Sequence, residues 1–190
     1  LVVSAFLFLS TASFSSSQRE IGAENLEYPD NALDYWGLEN DYTVSEGDNV
    51  EGYIETNTVI LVRENYNGDN ENFPIVIDKE NVTIISESGP VSVEIDGNGA
   101  ENVFNLRGGN HFTLIGLGIT GSSNQLVSID GYSSNTKFFH NRFFGPSSSY
   151  GIFSHSENLT VENNVFNDCN SGIFMSRRGF ELKRNTFKNQ

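Results

Sequence analysis

The sequence predicts an all-β solenoid, a parallel β-helix, on three observations. A strand-and-corner phrase repeats: Leu159-Thr-Val-Glu-Asn-Asn164-Val-Phe166 returns as Phe180-Glu-Leu-Lys-Arg-Asn185-Thr-Phe187 and as Thr136-Lys-Phe-Phe-His-Asn141-Arg-Phe143. The corner Asn recurs at intervals of 23 and 21 residues, and the closing Phe keeps step with it. Short β-branched and aromatic runs separated by Asn, Gly and Asp fill the remainder, with no helical period over any dozen residues. A period in the low twenties built this way marks a coil in which each repeat is one turn. A β-sandwich would pair neighbouring segments antiparallel and has no reason to repeat Asn-x-Phe at fixed intervals.

Taken in chain order, residues 1–17 come first. Their apolar run Leu1–Leu9 and small-residue tail Ser10–Ser17 read as the hydrophobic and cleavage regions of an export signal. The run is too short for a membrane span. Residues 18–57 are acidic and hold Trp36, Tyr28, Tyr35, Tyr42 and Tyr53. An irregular cap is expected here, laying Trp36 and some tyrosines over the open end of the first coil; a flexible linker is the alternative. Residues 58–190 form the solenoid, and the chain reads as a fragment open at both ends.

Within the solenoid, three strand columns can be aligned. Phe104-Asn-Leu106, Val127-Ser-Ile129, Ile152-Phe-Ser154 and Ile173-Phe-Met175 form one. Leu114, Phe138, Val161 and Leu182 mark the second; Ile119, Phe143, Phe166 and Phe187 mark the third. Alternation turns these side chains inward, so equivalent residues stack about 4.8 Å apart along the axis. Asn141, Asn164 and Asn185 then hold one corner, where a stacked amide satisfies turn backbone groups. Leu117 stands in the first copy with glycine on either side, so a different turn is expected there.

Ile95-Asp-Gly-Asn-Gly99, Val103-Phe-Asn-Leu106, Asn110-His-Phe-Thr-Leu-Ile-Gly-Leu117 and the Asn-x-Phe copies resemble right-handed parallel β-helix proteins of the pectate-lyase-like superfamily and the NosD-like repeat proteins. The resemblance covers roughly residues 58–189 and implies the right-handed coil. It leaves activity open, because such folds carry polysaccharide lyases, hydrolases, esterases and non-catalytic surface proteins.

The first strand column ends on residues of chemical interest. Arg107, Asp130, His155 and then Ser176-Arg177-Arg178 should line one edge, with Asn105, Ser128, Phe153 and Phe174 projecting beside them. Aromatic faces stack on sugar rings and arginines pair with carboxylate or sulfate. Lyase chemistry on a polyuronate would need Arg107 and Arg177 to neutralise the carboxylate and His155 or an arginine to take the α-proton. Asp130, Phe153, Phe174 and Arg178 would hold the substrate. The aspartate pairs and strings used by calcium-dependent lyases, polygalacturonase-like hydrolases and pectin-methylesterase-like enzymes do not occur. Two functions stay open: an exported protein that binds, and in one form cleaves, an acidic polysaccharide, and a non-catalytic extracellular solenoid.

Charge sharpens the partner classes. Through Glu101 the net charge is −17; from Asn102 onward it is +3. The acidic half argues against nucleic acid, and the basic half is where an anionic glycan would bind. A secreted or cell-surface monomer is expected. No metal or cofactor is indicated. Asn67–Asn72 offers oxygen ligands that suit Ca2+ but lacks EF-hand spacing, and a solvated turn explains it. Cys169 is the sole cysteine and reads as inert packing. Asn81-Val-Thr83 and Asn158-Leu-Thr160 match the glycosylation sequon, but both fall at expected strand starts and are set aside.

Overall fold

A computed structural model describes residues 28–190 apart from Asn67 and Asp69. The export-signal reading of residues 1–17 lies outside these. The chain coils into three parallel sheets, and from Thr83 to Met175 each coil gives one strand to each sheet in turn. A seven-stranded long sheet holds Tyr42–Val44, Val59–Val62, Thr83–Ser86, Thr113–Ile115, Lys137–Phe139, Leu159–Glu162 and Phe180–Lys183. A second sheet runs from Glu94–Asp96 through Gly118–Thr120, Arg142–Phe144 and Val165–Asn167 to Thr186–Lys188. The third, here the edge sheet, holds Ile75–Ile77, Asn102–Leu106, Gln125–Ile129, Tyr150–Ser154 and Ser171–Met175.

The three columns read from the sequence are the three ladders. Leu114, Phe138 and Val161 are in register and fully buried, as are Ile119, Phe143 and Phe166. Phe143 stacks on Phe166 at 4.8 Å and Phe166 on Phe187 at 5.0 Å, both pairs within 9° of parallel. Phe187 stacks on one face only among the described residues and is 48 % exposed.

Simple alternation fails at one point. In the edge sheet two consecutive residues turn inward, Val103 with Phe104, Leu126 with Val127, and Gly151 with Ile152. Glycine appears where the phenylalanine ladder needs the space: a Cβ on Gly151 would meet the Phe166 ring at 2.7 Å, and one on Gly172 would meet Phe187 at 2.6 Å. Volume is conserved by trading a side chain on one wall for a ring on another.

The asparagine column is a buried ladder. Asn141 Nδ2 donates to Leu114 O, Asn164 Nδ2 to Phe138 O, and Asn185 Nδ2 to Val161 O, at 2.9, 2.9 and 2.7 Å. Each Oδ1 accepts the backbone N–H of the equivalent residue one coil earlier: Leu117 on Asn141, Asn141 on Asn164, Asn164 on Asn185. Leu117 thus joins the column through its backbone. Its corner does not turn differently, because Gly116, His140, Asn163 and Arg184 all sit left-handed, at φ of 70°, 56°, 56° and 50°. Glycine is needed at 116 because the Tyr28 ring lies against it.

The acidic segment departs from expectation in two ways. Parallel pairing starts before Thr58, with Tyr42–Val44 in register against Ile60–Val62. Trp36 does not close the coil end. It lies on the outer face of the long sheet, stacked on Phe139 at 5.3 Å, in a cluster with Leu61, Ile85 and Ile115. The short helix Ala32–Trp36 is capped by Asn31 and ended by Gly37 at φ 64°. It follows the outward column Leu61, Ile85, Ile115, Phe139, which turns charged at the next strand with Glu162. The coil end is covered instead by Val50 and Tyr66, which enter the main core with Tyr53, Ile54 and Phe73 against it. Glu71 ties this cap together, its Oε1 accepting from the Val50 N–H and from the Tyr66 hydroxyl. Burial pushes the Glu71 carboxyl above its usual range.

Candidate functional site

At the close of each edge-sheet strand, backbone bonds bind one coil to the next. Asp130 N donates to Leu106 O, His155 N to Ile129 O and Ser176 N to Ser154 O. Arg107, Asp130, His155 and Ser176 are therefore true equivalents, in line along one edge. Arg177 and Arg178 come just after that line. Three rungs of about 4.8 Å make the row about 14 Å long.

The aromatic groups gather beside His155. Phe153 and Phe174 are register partners on the outer face and stack at 4.7 Å, 10° from parallel. Tyr150 stands edge-on to both, at 5.3 and 6.2 Å, and His155 stands edge-on to Phe153 at 4.9 Å. His155 Nδ1 lies 2.6 Å from Ser176 Oγ, which orients the ring. Arg177 reaches back over the His155 coil: a Cβ on Gly131 would lie 3.8 Å from its Nη2 and 3.6 Å from His155 O. Arg107, Arg177 and Arg178 are exposed, and Phe174 is 37 % exposed.

Two residues serve the scaffold as well as the edge. Asp130 Oδ1 accepts from Gly108 N, Tyr132 N, Ser133 N and Ser133 Oγ, so it closes its own turn and ties it to the preceding coil. Arg107 folds onto Asn105, whose amide oxygen, facing it, accepts from Nη2 and Nε at 3.1 and 3.3 Å. Tyr150 escaped the sequence reading, and Ser176, placed on the edge by it, was given no role there. Tyr150 lies outside the aligned three-residue core of its strand, and the inward pair Gly151-Ile152 places it on the same face as Phe153.

Among the described residues two clefts open beside Tyr28, away from this edge: one of about 390 Å³ reaches Tyr35 and His140, the other, about 310 Å³, reaches Glu64 and Glu87. Among the described residues no cluster of His, Cys, Asp or Glu could hold a metal ion. The Asn67–Asn72 stretch is only partly described. Cys169 is fully buried, and burial raises its thiol to about 11, so it belongs to the core. No helix among the described residues is long and apolar enough to cross a membrane. Comparison with protein-family models, curated proteins and solved structures finds no match. The class that the fold defines is a parallel β-solenoid.

Proposed function

We propose that the edge-sheet face binds an anionic polysaccharide without cleaving it, on an exported protein. The observation that carries this reading is the outward Phe153–Phe174 stack, half-buried at Phe153 and exposed at Phe174, with Tyr150 and His155 against it and the exposed Arg107, Arg177 and Arg178 along the same edge. A flat aromatic pair offers a platform for sugar rings, and the guanidinium forks suit carboxylates or sulfates. The row runs along the coil axis, which suits an extended chain rather than a compact ligand. A polyuronate is the first candidate, from the resemblance to pectate-lyase-like proteins. The exposure of Arg107, His155, Arg177 and Arg178 favours binding over turnover, since a reacting sugar needs groups converging on one atom in a site that excludes water.

Titration with polyuronate tests this. Affinity should fall with salt, since exposed charges are screened beyond about 10 Å at 0.1 M ionic strength. Replacing Arg107 and Arg177 with Ala should weaken binding to polyuronate, with neutral glucans bound no more tightly than before. A lyase would release unsaturated ends absorbing in the ultraviolet, at a rate cut by His155→Ala. If acidic glycans neither bind nor react, the reading as a non-catalytic surface solenoid replaces this one.

A further inference from the structure

Both sequons fall at strand starts, as expected, but their asparagines stay outside the strands. Asn81 and Asn158 lie before their strands, at exposed corners leading into Thr83–Ser86 and Leu159–Glu162. Both are left-handed, at φ 56° and 57°. They belong to a column of corner residues in that conformation, with Asn57 at 60°, His111 at 58° and Asn135 at 55°. Asn tolerates this region better than most residues, which accounts for asparagine here without any appeal to modification. It does not account for the threonine two residues on. Thr83 and Thr160 occupy equivalent outward positions on the long sheet, in register through Thr113 and Lys137. Asn57-Thr-Val59 and Asn135-Thr-Lys137 share the corner but lack the acceptor pattern.

We infer that Asn81 and Asn158 are N-glycan acceptor sites, used when the chain passes an oligosaccharyltransferase on an export route. The donor is an oligosaccharide carried on a polyprenyl pyrophosphate. The Nδ2–C1 bond forms as the C1–O bond to pyrophosphate breaks; the lipid pyrophosphate leaves and the Nδ2 proton passes to a base of the transferase. The folded coil accommodates the product. The residues following the acceptors, Val82 and Leu159, are buried and anchor the corner, while the asparagines face solvent. In the unmodified chain Asn81 Nδ2 donates to Asn57 Oδ1 at 2.8 Å and Asn158 Nδ2 to Asn135 Oδ1 at 3.2 Å, both on the surface. Neither amide belongs to the buried ladder of Asn141, Asn164 and Asn185, so attachment leaves the core bonds intact. Both sugars would project from the corner between the edge sheet and the long sheet. The inference needs an export route but not the polysaccharide-binding reading.

The test is secretion of the full chain, behind a secretion signal, from a yeast or insect host, followed by peptide mass mapping before and after glycosidase release that leaves Asp at each occupied Asn. Glycan is expected on Asn81 and Asn158, with none on Asn57 or Asn135. Thr83→Ala and Thr160→Ala should each remove one glycan while the acceptor Asn remains. Lys137→Thr completes the acceptor pattern at Asn135 and should add a glycan there. Secreted, folded protein with both sequon asparagines bare overturns the inference, and one bare asparagine overturns it for that site. A glycan that persists in Thr83→Ala or Thr160→Ala, or an unmodified Asn135 in folded Lys137→Thr, defeats the claim that this corner is an acceptor geometry.

Discussion

Two phenylalanine ladders run along this solenoid, one inside and one outside, with nearly the same geometry. The inner ladder stacks Phe143, Phe166 and Phe187 at 4.8 and 5.0 Å; the outer one stacks Phe153 and Phe174 at 4.7 Å. All three pairs lie within 10° of parallel, because parallel register places identical positions one rung apart wherever they face. Stacking geometry therefore says nothing about role. Surroundings decide it: Phe166 has rings on both sides and no exposure, whereas Phe174 offers a free face to solvent. The inner ladder holds the coils together, and the outer one is free to meet something else.

The largest expected effect comes from breaking the inner ladder at its centre. Phe166→Ala should cost about 3–5 kcal/mol, the range for a fully buried ring. Phe187→Ala, half exposed, should cost clearly less in the same denaturant titration. Equal losses would show that burial between neighbours is not what sets the ladder's energy. Next comes Asn164→Ala, which strips the bonds to Phe138 O and Asn141 N and leaves buried backbone groups unmet. A loss of about 1–3 kcal/mol is expected. Unchanged stability would mean that the corner does not depend on its amide.

The outer ladder should respond in the opposite way. Phe174→Ala should leave stability within about 1 kcal/mol, as for surface changes in general, and should reduce polyuronate affinity. A thermal melt paired with a binding isotherm separates the two. A large drop in stability without change in affinity would assign the outer stack to folding alone.

The smallest effect concerns the cap. Glu71 has its carboxyl pKa raised in the folded state, chiefly by burial, so folding favours the protonated form. Its stabilising contribution is full below the unfolded carboxylate pKa and is lost as pH rises through the raised folded value. Glu71→Gln keeps an acceptor for Val50 N and Tyr66 Oη but carries no charge. Its stability relative to the parent should rise from pH 4 upward, then level off. A flat difference across that range would remove Glu71 from the pH dependence.

How far the site was legible follows the same division between register and surroundings. Arg107, Asp130 and His155 fall at equal distances after equivalent strands, so the repeat alone aligned them. Nothing in the period shows that Asp130 Oδ1 is occupied by its own turn, that Arg107 folds onto Asn105, or that Arg177 reaches back to Gly131. Those depend on side-chain rotamers and on the turns between coils. The Trp36 placement failed for a related reason: the apolar column Leu61, Ile85, Ile115 and Phe139 becomes contiguous only when coils separated by some two dozen residues stack.

By itself, the sequence determined the period, the three inward ladders and the buried asparagine corner, because a parallel coil turns chain distance directly into axial position. Only the tertiary structure decided where the chain departs from strict alternation, such as the inward pair Gly151-Ile152 that brings Tyr150 beside Phe153. It also decided which asparagines are buried and which face solvent. Asn164 and Asn158 lie six residues apart on the same coil, yet one is sealed by neighbours on both sides and the other stands at an open corner. That contrast comes from contacts between coils, and no local pattern records it.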